Sequence, residues 1–168
     1  MKKMLLLSCV IILTFNCKKE PEYFFDFDEV VHYETDMDEM DMIELRKKQF
    51  NSLDDQLVYL YIGNPHLRKI DTVSLSRLKY IGFSETCIPG NKYPALREIF
   101  KEKSIDEEMT TACEPIFNDI LVFRKKNKTI GIAKLCFHCS QSQFIGAKAN
   151  TRTFGYHNEF EGLKKLLK

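Results

Sequence analysis

The feature that most constrains this chain is an apolar run at its start. Lys2 and Lys3 precede a dozen almost wholly apolar residues, Met4 to Phe15, among them Leu5, Leu6, Leu7, Val10, Ile11, Ile12 and Leu13. At about 1.5 Å per helical residue the run reaches only about 18 Å, against a bilayer core of about 30 Å. It is too short for a comfortable permanent span, and a positive flank ahead of a short apolar centre is the pattern of an export leader. Charges interrupt every later stretch, so no further segment reads as a membrane crossing. The fold is therefore expected to form from the residues that follow, in a compartment where thiols oxidise.

The apolar run closes at Leu13-Thr14-Phe15-Asn16-Cys17 and gives way at once to Lys18-Lys19-Glu20. This junction resembles the lipobox of bacterial lipoproteins, in which the leader is cut just before a cysteine that carries diacylglycerol. The resemblance implies removal of residues 1–16, lipidation of Cys17 and attachment to a membrane through the N-terminal lipid. Two or more acyl chains give stable anchoring where one does not, at about 0.8 kcal/mol per buried CH₂. Lys18 after the cysteine implies, by the sorting habit of that family, the outer membrane of the cell envelope.

Between Glu20 and Glu44 lie eleven of the chain's 24 acidic residues and no Lys or Arg. Such a run beside an anchor reads as a solvated tether, although Tyr23-Phe24-Phe25-Asp26-Phe27 carries more rings than water tolerates. The expected organisation is a signal peptide at 1–16, a lipid-anchored acidic tether at 17–41 and a globular domain at 42–168. Asp36-Met37-Asp38-Glu39-Met40-Asp41 fails as a calcium loop, since Met40, Asp41 and Lys47 occupy its fifth, sixth and twelfth places. Over the whole chain 25 basic residues oppose 24 acidic ones, which excludes the basic excess of a nucleic-acid binder.

The body reads as one small α+β domain. Ile43, Phe50, Leu53 and Leu57 fall at helical spacing and predict a helix over Met42 to Leu53. Gln56 to Ile62 suits a strand, or an extension of that helix, ended by Gly63-Asn64-Pro65. Asp71 is placed to cap a helix carrying Leu75 and Leu78 and closed by Gly82, and another helix starts near Pro94 with Leu96, Ile99 and Phe100 on one face. Pro115 to Phe123 and Thr129 to Phe137 predict an antiparallel hairpin around Arg124 to Lys128, with a third short strand at Gln143 to Gly146. A terminal helix capped by Asn158 with Glu161 then places Phe160, Leu163 and Leu167 together.

Removing Cys9 with the leader and assigning Cys17 to lipid leaves Cys87, Cys113, Cys136 and Cys139, an even number suited to disulfides. If the hairpin turns at Lys126-Asn127, facing residues sum to about 253, which brings Cys113 opposite roughly Ser140 and within a register slip of Cys139. Cys113–Cys139 is thus feasible, Cys113–Cys136 is the near alternative, and three full connectivities stay open. The Cys136-Phe137-His138-Cys139 motif also admits a thiol-redox pair, or half of a zinc site with Cys113, His138 or His157. The stretch from Cys113 to Gly146 is similar to part of small uncharacterised cysteine-containing bacterial envelope lipoproteins, a resemblance that implies no activity.

There is no Gly-x-Ser-x-Gly elbow, His-Glu-x-x-His, P-loop or dinucleotide fingerprint, so neither a cofactor nor a catalytic set is expected. His32 and His66 read as surface or structural residues, and Asp119, inside an apolar strand, as solvent-facing by alternation. The functional expectation is a lipid-anchored, non-catalytic binding or structural module with an envelope protein as its partner. The alternative is a thiol-redox or zinc-dependent envelope enzyme using Cys136 and Cys139.

Overall fold

A computed structural model describes residues 21–63, 67–104 and 113–168. Its centre is a five-stranded, fully antiparallel sheet in the order β2-β1-β3-β4-β5. The strands are β1 (Glu29–Glu34), β2 (Ser84–Cys87), β3 (Asp119–Lys125), β4 (Lys128–Cys136) and β5 (Gln141–Ile145). Helices α1 (Glu39–Lys47), α2 (Leu53–Val58) and α3 (Thr72–Arg77) precede β2, α4 (Tyr93–Ile99) follows it, and α5 (Glu159–Leu167) ends the chain. No described helix is long and apolar enough to cross a membrane.

Alternation along each strand feeds two separate cores. Val30, Leu121, Phe123, Ala133 and Leu135 face α4 and α5, where Leu96, Phe100, Phe160 and Leu163 close the layer. Val31, Tyr33, Ile120, Val122, Ile132 and Ile145 face Met42, Leu45, Leu57, Leu75 and Leu78 on the other side. Helices thus cover both faces of the sheet.

The β3–β4 hairpin follows from its turn residues. Lys126 and Asn127 both take positive φ, the requirement of a two-residue turn whose twist matches the strands. Arg124 pairs with Thr129 and Lys125 with Lys128, as the 253 rule requires, and an irregularity after Phe123 shifts the remaining pairs by one. Gly131 sits in that shifted stretch because a Cβ there would lie 2.1 Å from Cε1 of Phe25.

The tether boundary at residue 42 is corrected by this architecture. β1 lies between β2 and β3 inside the sheet, and Phe24, Phe25 and Phe27 are buried. Phe25 stacks on Phe123 at 4.1 Å, while Phe24 lies edge-on to Phe144 at 5.3 Å. The acidic residues repel one another less than expected because the hairpin loop supplies opposite charge. Asp26 meets Lys125 at 2.6 Å, Glu29 meets Arg124 at 2.9 Å, and Asp28 accepts the Lys126 N–H. The domain therefore includes the described residues from 21 onward.

Two local expectations change as well, and the choice between strand and helix at Gln56 to Ile62 falls to helix. The first helix begins at Glu39, since Asp38 and Asp41 form a reciprocal capping box, and this phase buries Met42 and Leu45 while Ile43 stays exposed. Gln56 to Ile62 is helical, with Ser52 and Asp55 capping α2 and a π-helical turn at Tyr59–Gly63. Asn158 adopts a left-handed conformation and makes no side-chain cap. Glu159 takes over, accepting the N–H groups of His157 at 2.7 Å and Gly155 at 3.1 Å.

Candidate functional site

At one end of β4 the chain brings three sulfurs together. Cys136 ends the strand, Phe137 to Ser140 form the turn into β5, and Ser140 takes positive φ to complete it. Cys113, on the segment leading into β3, is disulfide-bonded to Cys139 with a Cα–Cα separation of 5.8 Å, inside the usual range of about 4.4–6.8 Å. Gln141 reinforces the junction by donating to the Cys113 carbonyl at 2.6 Å. Arg46 of α1 pairs with Glu114 beside it.

Cys136 is unbonded and buried, packed with Phe117 and Cys139. The Cys139 N–H donates to its Sγ at 3.4 Å. Cys87 is also free, but it stands exposed on an edge strand. Three strand spacings separate β2 from β4, roughly 14 Å at about 4.8 Å each, so a Cys87–Cys136 bond is out of reach. Of the four candidate cysteines, only Cys113 and Cys139 are therefore paired.

Lys134 shares the Cys136 face of β4, two residues earlier and thus about 7 Å along the strand. Its side chain is fully buried between the Ile120 and Gln143 positions, with Nζ donating to the Leu60 carbonyl at 3.3 Å and lying 4.5 Å from the Phe117 ring centre. The carbonyl belongs to the π-helical turn, which aims a backbone acceptor into the core. Burial pushes the ammonium down to about 7, so near neutral pH the amine loses its proton readily.

A pocket of about 340 Å³ opens beside the sulfurs. Met37, Ile116 and Phe137 give it apolar walls, Glu39, Asn118 and Asp119 add polar groups, and Cys136 and Cys139 line it. Asp119 is not solvent-facing as alternation suggested. It is buried and meets His32 Nε2 at 2.8 Å, because β3 is covered on both faces and alternation there separates two cores rather than core from water. His32, expected at a surface or structural position, holds β1 to β3 through this contact.

The zinc set is not assembled. The bond to Cys113 uses the Cys139 sulfur, and His138 is exposed. His157 meets the Ser104 carbonyl at 3.0 Å. Among the described residues no group of three or more His, Cys, Asp or Glu is placed to hold a metal. Cys17, the leader and His66 lie outside the described residues. Lys134 was missed by sequence reasoning, and its only signal was a charge at an inward position of an otherwise apolar strand.

No protein-family model matches the chain, and no curated protein or solved structure matches it significantly.

Proposed function

We propose that this is a lipid-anchored protein of the cell envelope, held through Cys17 at the outer membrane, whose body is a non-catalytic binding or structural module. The observation that carries the reading is the Cys113–Cys139 pair in a chain that starts with a leader pattern. A cross-link of this kind persists outside the reducing cytosol, and the leader explains how the chain reaches such a place. The pocket beside the bond is where a partner from the envelope would dock. Expression of wild type and Cys17→Ser in a bacterial host with lipoprotein processing tests the anchor. Wild type should stay with membranes after an alkaline wash while Cys17→Ser is released, and equal release of both would refute it.

A second reading, a thiol-redox enzyme using Cys136 and Cys139, is favoured by one observation, the free Cys136 thiol hydrogen-bonded from Cys139 beside an existing bond. Maleimide applied to the folded protein separates the two. Modification of Cys136 without denaturant supports the enzyme, and resistance until unfolding supports the module.

A further inference from the structure

We propose that Cys136 is a resident exchange thiol, able to move the disulfide from Cys113–Cys139 to Cys136–Cys139 and so release Cys113 as a free, exposed thiol. The inference does not depend on the lipid anchor. It rests on the sulfur cluster alone.

A disulfide is exchanged by a thiolate that reaches one of its sulfurs along the bond, and the required parts are grouped here. Cys136 Sγ lies 3.4 Å from the Cys139 backbone nitrogen, only three covalent bonds away from Cys139 Sγ. Both residues flank one tight turn, so neither strand of the hairpin has to separate for their sulfurs to meet. The pocket reaches Cys136 and Cys139, which gives water a route for the protons that must leave and arrive.

The step balances without an outside oxidant. Cys136 gives its thiol proton to water, and its sulfur forms a bond to Cys139 Sγ. The Cys139–Cys113 bond breaks with its electron pair on Cys113, which takes a proton from water. One thiol and one disulfide exist before and after.

The direction follows from exposure. Cys113 is exposed and departs into solvent, whereas Cys136 and Cys139 are buried and stay side by side. The product presents a reactive thiol at the surface, suited to attack a disulfide of another protein, forming a mixed disulfide while the second sulfur of that partner bond leaves as a thiolate. The segment leading into β3 would then no longer be tied to the β4–β5 turn.

The test uses the full chain carrying Cys9→Ser, Cys17→Ser and Cys87→Ser, so that only Cys113, Cys136 and Cys139 can form linkages or take label. The folded protein is held at pH 7, 8 and 9 with N-ethylmaleimide, quenched in acid and digested, and each linkage and label is mapped by mass. The expected result is a Cys136–Cys139 link with label on Cys113, formed faster at each higher pH because the thiolate is the attacking form. Adding Cys136→Ser should leave only the Cys113–Cys139 link, and the trapping arm stands without that variant should it misfold. A single Cys113–Cys139 link at every pH, with label on Cys136 or on no residue, would overturn the proposal. A Cys113–Cys136 link with label on Cys139 would overturn it too, since the attack would then fall on the wrong sulfur.

Discussion

Replacing Lys134 by methionine should stabilise the fold near neutral pH, and the gain should fade as the solution becomes alkaline. The wild-type amine is held at about 7, against an ordinary value near 10.5. At about 1.4 kcal/mol per pKa unit, the folded state at pH 7 carries a penalty of roughly 4 kcal/mol relative to a freely hydrated lysine. Between pH 7 and 10.5 the unfolded chain binds the proton that the folded chain has released, so stability rises with pH. From pH 7 to 9 the rise should be roughly 2 kcal/mol. Methionine fills a similar volume but leaves the Leu60 carbonyl without this donor, at a cost of about 1–3 kcal/mol. The net gain at pH 7 is then roughly 1–3 kcal/mol, in line with other replacements of buried charges. Urea unfolding followed by far-ultraviolet circular dichroism at pH 7, 8 and 9 gives both numbers. Parallel pH dependence in the two proteins would refute the reasoning, because it would mean that the amine keeps its proton in the folded core.

Cys113→Ser removes a cross-link spanning 26 residues and should lower stability by about 3–4 kcal/mol on the chain-entropy model, a calorimetric Tm loss of roughly 7–14 °C. Phe25→Ala should cost about 3–5 kcal/mol in denaturant melts, since the ring fills the space left by Gly131 and stacks on Phe123. A chain begun at residue 42 should show no cooperative unfolding, because it lacks β1; a sharp transition would restore the tether reading. Burial pushes the Glu159 carboxyl up, but Lys103 and the His157 N–H outweigh it and hold the group below its ordinary value. That stability is present above about pH 4.5 and lost as pH falls through the folded value, so Glu159→Gln should flatten the acid limb of a stability profile.

The parts of the fold legible beforehand were those written locally. The β3–β4 hairpin could be read because Lys126-Asn127 specifies the turn, and a fixed turn fixes the register that brings Cys113 to Cys139. β1 could not. Its acids look solvated until the basic loop that neutralises them is placed beside them, and that contact spans almost a hundred residues. β2 has four exposed residues and almost no apolar pattern, so only pairing with β1 defines it. At the candidate site four cysteines read as disulfide candidates; the turn register accounts for Cys113–Cys139, whereas the separation of Cys87 from Cys136 depends on strand order, which no local pattern encodes. His32–Asp119 and Lys134 were hidden for a related reason, since in a sheet covered on both faces an inward polar residue and an outward one look alike.

The measurement that bears most directly on the proposed envelope lipoprotein is the intact mass of protein taken from its native membrane, before and after reduction. The account predicts a chain lacking residues 1–16, heavier than its remaining sequence by the attached acyl groups, and gaining two hydrogens per structural disulfide when reduced. A mass equal to the full chain from Met1, unchanged by reductant, would contradict it.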